Sequence, residues 1–305
     1  MHVHFGPNQD YGGRLGEPLV GALRTMRRRG IKTVLTLHSQ WMPSDVLRSA
    51  PARRFPPPLR PLIVQYFRVF MRRLRANCDA FLCVVATLDS PLTTAFARAY
   101  GLRDIGEELF SCSIDFSPLP QSLEPLIFSF GFLRPDKGLE VLIEAFIKYC
   151  KAGGAGKLVL AGAPLTPADQ QYAQMLKALI APHRDRIDFI ERYLSEPEID
   201  EWLRRCSVLA LPYLRSIGCS APLHAALGIG RPVITTAIGH NATLGDAVSL
   251  VPPGSSDALA RELSRLLSEP GALEAAANKA RQAAAARTAD RIAARQYELY
   301  RALVG

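Results

Sequence analysis

No C-x-x-C pair occurs in the 305 residues, and the six cysteines (78, 83, 112, 150, 206 and 219) lie mostly in apolar runs. That pattern argues against a zinc or thiol-redox site and points to buried free thiols in a reducing compartment. Long hydrophobic runs are lacking too. The longest, around AFLCVVATL, is too short to span a bilayer. The N-terminus lacks the basic-then-apolar pattern of an export signal, so the expected compartment is the cytoplasm. There is no internal repeat and no low-complexity tail. His2, His4 and His240 form no ligand-spaced set, and no metal is expected. What is present is a chain of 48% hydrophobic residues with mean hydropathy near zero, long enough for two domains and a substantial core.

Acidic residues are scarce in one region. Of the net charge of +9, the first 122 residues carry +7, from 16 Lys+Arg against 9 Asp+Glu. Between Arg24 and Arg75 there are 13 basic residues and a single acid, Asp45. Such a surface seeks phosphate: lipid headgroups, nucleic acid or a phosphorylated substrate. No finger, RNP-like motif or helix-turn-helix accompanies it, so nucleic acid is not an expected partner. Within the segment, Leu59, Leu62, Ile63, Tyr66, Phe67, Phe70, Met71 and Leu74 follow one helical face, with Arg60, Arg68, Arg72 and Arg75 mostly away from it. Two readings stand: a helix packed on its sheet with a solvated basic side, or an interfacial helix touching an anionic membrane.

The C-terminal half alternates strands with helices. Strands are expected at 127–133, 157–162, 187–192, 207–213, 232–237 and 248–252, and helices at 138–150, 166–181, 196–205, 220–229 and 256–268. This order implies right-handed crossovers and a parallel, doubly wound sheet. In the N-terminal half, 2–5, 32–38 and 80–87 read as strands and 108–114 as a weaker fourth. The proline-rich stretch PARRFPPPLRP (51–61) reads as a stiff loop. This half looks like a doubly wound domain lacking its first strands. The expected division is 1–120, 121–288, and a final packed helix at 289–305.

In an open parallel sheet, ligands bind beyond the carboxyl ends of the strands. The stretch FSFGFLRPDKGLEVLIEAF places Arg134 and Lys137 at the mouth of a helix whose first amides would favour an anion. Lys137 supplies a point charge and Arg134 a fork. Gly162 ends the next strand and allows close backbone approach. Arg192 and Tyr193 close another strand. The small-residue loop Ser216 to Ala221 leads into a helix, where Gly218, Ser220 and Ala221 would let a ligand reach backbone amides. Cys219 reads as loop lining, since no base accompanies it. His224 reads as packing.

Taken in order, GFLRPDKGLEVLIEAF, LVLAGAP, IDFIERYLSEPEI, SVLALPY and SIGCSAPLHAALGIGRPVITT resemble the donor-binding domain of retaining glycosyltransferases of family 4, of the two-Rossmann GT-B type. KTVLTLHS and NCDAFLCVVAT match two successive strands of that family's acceptor domain. The last helix resembles the one that crosses back to it. The resemblance implies two Rossmann-like domains and a nucleotide-diphosphate sugar as substrate, with neither cofactor nor metal. It implies Lys137 and residues 218–221 on the diphosphate, with Arg134 as a substitute for the family's second clamp residue, and Gly162, Arg192, Tyr193 and Ser216 on the base and ribose side. His38 matches a histidine near the reaction centre. There are departures. Phe132 stands where the family often has an arginine, and Ile217 and Ala225 stand where many members carry two glutamates.

The implied activity is transfer of a sugar to a glycolipid or polysaccharide acceptor with retention, in polysaccharide biosynthesis. The enzyme would be cytoplasmic, peripheral on the inner face of the membrane and held to anionic lipid by residues 24–75. The alternative is a degenerate relative: a nucleotide- or glycan-binding module, or a subunit completed by a partner chain at the incomplete N-terminal sheet.

Overall fold

The computed structural model describes residues 1–6, 17–53, 55–117, 124–215 and 218–305. The chain forms two units, Met1–Phe110 with Ile217–Cys219 and Asp290–Gly305, and Ser111–Ser216 with Ser220–Ala289. No helix among the described residues is long and apolar enough to cross a membrane.

The first unit runs β1 (His2–Phe5), α1 (Glu17–Arg28), β2 (Val34–Leu37), α2 (Pro43–Arg48), α3 (Ala50–Arg53), α4 (Arg60–Ala76), β3 (Ala80–Val85), α5 (Pro91–Tyr100) and β4 (Ile105–Leu109). Its four strands are parallel in the order β1-β2-β3-β4. Because side chains alternate along a strand, β2 and β3 split into two buried faces. Leu35, Leu37, Phe81 and Cys83 join Phe67 and Phe70 of α4 in one core. Val34, Ala80 and Leu82 on the other face are covered by Leu299, Tyr300 and Leu303 of the C-terminal helix Ala289–Val304. Strands covered on both faces read as unbroken apolar runs, which is why they are visible in sequence.

Three sequence expectations change here. The fourth strand lies at Ile105–Leu109 rather than 108–114. Gly106, Glu107 and Glu108 disguise it, but their carboxylates are used: Glu107 accepts from Ser90 N–H and Glu108 from Thr36 Oγ1. The stretch 51–61 is not all loop, since α3 and a 3-10 turn at Pro57–Leu59 form within it. Prolines sit in their first turns, where no intrahelical donor is needed. On α4 the buried stripe is Ile63, Phe67, Phe70, Met71 and Leu74, whereas Leu59, Leu62 and Tyr66 are exposed. Nor is the basic side simply solvated. The Nε groups of Arg68, Arg72 and Arg75 donate to the carbonyls of Ala99, Tyr100 and Arg103 at 3.3, 2.9 and 3.0 Å. Cations there meet the negative end of the α5 dipole.

The second unit runs β5 (Leu126–Phe130), α6 (Leu139–Lys151), β6 (Lys157–Ala161), α7 (Pro167–Ile180), β7 (Ile187–Ile190), α8 (Glu196–Arg205), β8 (Val208–Leu211), α9 (Ala221–Gly228), β9 (Val233–Thr236), α10 (Gly239–Ala242), β10 (Ser249–Val251), α11 (Ser256–Ser268) and α12 (Ala272–Ala285); the C-terminal helix is α13. Each strand lies within or one residue beyond its expected segment. The sheet is parallel in the order β10-β9-β8-β5-β6-β7. Numbered from its own first strand, that is 3-2-1-4-5-6, the doubly wound order whose direction of winding reverses between the first and fourth strands. Here the reversal falls between β5 and β8. Their carboxyl ends are where a ligand is expected.

Candidate functional site

The turns after β5 and β8 are stitched together. Gly138, at φ 64°, takes a left-handed conformation and lies so near β8 that a Cβ would stand 2.3 Å from Pro212 O. Leu214 N–H donates to Asp136 O at 2.9 Å. These contacts put half-buried Lys137 over Tyr213, with Nζ 4.1 Å from the ring centroid, a cation–π contact. Tyr213 is itself buried; its hydroxyl shares a 3.0 Å hydrogen bond with Ser220 Oγ, which also accepts from Leu223 N–H at the start of α9. Burial pushes the Tyr213 phenol up to about 12, so it stays protonated. Lysine, tyrosine and helix start thus form one connected unit.

The sequence leaves the first amides of α6 for an anion and sets two cations beside them. The structure disposes of both differently. Leu139 N–H donates to Tyr172 Oη at 2.9 Å, and Tyr172 donates onward to Glu140. Arg134 forms a two-pronged pair with Asp136, at 2.8 and 2.7 Å, and its guanidinium is held by that carboxylate. The start of α6 is therefore internally capped. Tyr172→Phe, which strands the Leu139 amide, is expected to lower stability by about 1–3 kcal/mol, read by urea denaturation. An unchanged midpoint would show that water replaces the cap.

Beside Lys137 lies a cavity of about 260 Å³ bounded by Phe130, Phe132, Gly162, Tyr193, Tyr213 and Pro222. Two cavities of about 300 and 270 Å³ lie instead near the amino ends of β9 and β10 and of β7, the end of the sheet where this fold does not bind ligands. Phe132 and Tyr193 meet edge-to-face with centroids 5.9 Å apart, and they are 40% and 58% exposed. An aromatic pair this open at a cavity rim offers a face to a planar base or a sugar ring. Gly162 is part of the cavity lining. A Cβ there would lie 1.9 Å from Gly131 O, so its close approach is to the neighbouring turn.

The other expected residues are distributed as follows. Arg192 is exposed and paired with Glu198 at 3.0 and 2.5 Å, where it supports the first turn of α8. Gly218 and Cys219 belong to the first unit, where Gly218 bridges Ser39 and the Cys219 thiol points at Val84 O, 3.9 Å away. Ser220 and Ala221 open α9. Ser216 lies outside the described residues. His38, also in the first unit, shares a 2.9 Å hydrogen bond between its Nε2 and His4 Nδ1; burial, then His4, lowers its pKa. His4 in turn stacks on His2 with centroids 4.4 Å apart. His224 is buried with Nδ1 2.8 Å from Ser220 O, and burial pushes its pKa down to about 4. Sequence reasoning gave no role to Tyr213 or Phe132. The available signal was an aromatic residue just past each strand's carboxyl end.

Residues 124–269 match the family model described as Glycosyl transferases group 1. Apart from residues 217–219, the matched stretch lies within the second unit. Over 135 residues the chain is 30% identical to GDP-mannose:glycolipid 4-beta-D-mannosyltransferase of Xanthomonas campestris pv. campestris; the match covers 44% of this chain and 37% of that protein. The matched stretch thus spans little more than a third of the relative's length. Among solved structures, sucrose-phosphate synthase from Thermosynechococcus elongatus superposes with a TM-score of 0.70 at 20% identity, covering 99% of this chain and 73% of that one. Anabaena HepE, solved in complex with UDP and glucose, gives 0.67 at 18% identity over 98% and 84%. At such identities the likeness is one of fold, the GT-B type.

Proposed function

We propose that the protein is a glycosyltransferase that moves a sugar from a nucleoside-diphosphate donor to a glycolipid or polysaccharide acceptor. The observation that carries this reading is the Lys137–Tyr213–Ser220 unit beside an aromatic-rimmed cavity at the reversal point of a matched glycosyltransferase domain. Lys137 and the α9 start at Ser220 and Ala221 take the diphosphate; for Gly218 and Cys219, in the first unit, that role rests on the resemblance alone. Positive charge aimed at the leaving group stabilises it as the glycosidic bond breaks, with no metal or cofactor. Arg134 serves only by leaving Asp136. Gly162 and Tyr193 form the base and ribose side, Arg192 serves there only by leaving Glu198, and the resemblance gives His38, in the first unit, the family's histidine position. The proposed location is cytoplasmic, peripheral on the membrane's inner face. Retention follows from the family resemblance, while the Xanthomonas relative is named for a β-mannosyl linkage. The anomeric configuration of the product, read by NMR against that of the donor, checks it.

A second reading, a degenerate relative that binds nucleotide or glycan without transfer or is completed by another chain, is favoured by Ile217, Ala225 and Phe132 at the family's charged positions. Calorimetric titration with UDP, GDP and their sugars tests the first reading. Binding by none sinks it. Binding of a nucleotide sugar with no transfer to lipid extracts favours the second.

A further inference from the structure

The helix α7 differs from the other long helices of the second unit in what it shows to solvent. Asp169, Tyr172, Ala173, Leu176 and Ile180 are buried and define its inner face. Ala168, Gln171, Gln174, Met175, Ala178 and Leu179 are all exposed, and the helical repeat places them within one arc of about 140° away from that face. None of the six is charged. The helix has two charged residues, and both are occupied elsewhere. Asp169 is buried and accepts from Thr166 N–H at 3.0 Å, and Lys177, outside the arc, is paired with Glu191. By contrast α6 exposes Glu144 and Lys148, α8 Asp200 and Glu201, and α11 Arg261 and Arg265. A solvent-facing helix surface ordinarily carries charge, whereas the core of an interface is depleted of it. Ala168, Gln171, Met175 and Ala178 also follow the 3-4-3 spacing by which one helix lies along another, with small residues at both ends to let the backbones approach.

We propose that α7 packs against α7 of a second copy of this chain, antiparallel across a two-fold axis near Met175, in a weak and reversible homodimer. The inference is independent of the proposed function. Charge decides the occupant. A two-fold interface sets a patch against itself, so its side chains must tolerate their own copies. Like charges do not. Alkyl groups do, and so do glutamine amides, which both donate and accept. An anionic lipid surface would call for cations and a charged partner for the opposite charge, and this face offers neither. The 14-residue helix is about 21 Å long, and two of them bury less than the roughly 1,200 Å² of a standard stable complex. The dimer is therefore expected to dissociate in the range of about 10–100 μM.

The test is sedimentation equilibrium of the full chain from about 1 to 500 μM, at low and high salt. Dimer is expected to accumulate with concentration. Salt is expected to favour it, because screening weakens the repulsion between two chains of net charge +9 and leaves a neutral interface intact. Met175→Arg and, separately, Met175→Glu are each expected to weaken association by roughly tenfold or more, since each brings like charges together near the axis. An equimolar mixture of the two is expected to recover it, because opposite charges then meet. Met175 is 39% exposed, and circular dichroism checks that both variants fold. A monomer throughout, or a dimer that neither substitution weakens, overturns the proposal. So does association that falls with salt, or a mixture that associates no better than its components.

Discussion

Lys137→Ala is expected to weaken UDP or GDP binding by roughly ten- to a hundredfold, equivalent to about 1.5–3 kcal/mol, with the fold retained. The ammonium lies half-buried against the Tyr213 ring, and burial lowers its pKa, opposed by Asp136 and reinforced by Arg134. A cation kept there at a desolvation cost is poised for an anion, which would offset that cost on binding. The sign of the pH dependence follows. The protonated lysine attracts the diphosphate, so affinity falls as pH rises through a pKa lying below the ordinary lysine value. Calorimetry across alkaline pH should show that fall in the wild type and not in Lys137→Ala. Arg134→Ala is the internal control: with its guanidinium already taken by Asp136, it should cost less than roughly threefold. Equal affinities for wild type and Lys137→Ala would remove the lysine from the site.

Gly162→Ala is expected to destabilise the second unit by about 3 kcal/mol and to abolish nucleotide binding with it. The added methyl would stand 1.9 Å from Gly131 O, and neither side gives easily. Gly162 N–H is bonded to Ile190 O at 2.9 Å, and Gly131 N–H to Ala161 O at 3.1 Å. Relief requires moving the turn after β5, which carries Phe132 and leads to Lys137. Urea denaturation and calorimetry on one sample would report both effects. A variant that melts and binds like the wild type would show that this turn is soft, and that the cavity does not depend on its position.

These two residues also mark how far the sequence reads. Lys137 and Gly162 are legible because they follow strands whose apolar periodicity is strong, and the carboxyl end of a parallel strand is where ligands gather. The same logic misjudged Arg134. A short-range partner two residues away, Asp136, takes its guanidinium, and nothing in the spacing says whether the two side chains turn toward each other. The open start of α6 was misjudged for a long-range reason. Its cap, Tyr172, sits 33 residues on in α7 and meets Leu139 only after the helices pack. On α4 the apolar residues outnumber those a single packed stripe can bury, so sequence shows the excess but not which members face out.

What the sequence determined by itself is the order and type of the elements, the parallel winding of the second unit and the strand ends that bear its proposed site. Local periodicity and turn residues encode these within a few residues of each position. Only the tertiary structure decided which charges are spent and which are available. Arg134 and Arg192 are paired, Arg68, Arg72 and Arg75 cap backbone carbonyls, and Lys137 rests on an aromatic ring. Long charged side chains choose partners by distance in space, and that distance exists only once the sheet has closed its neighbours around them.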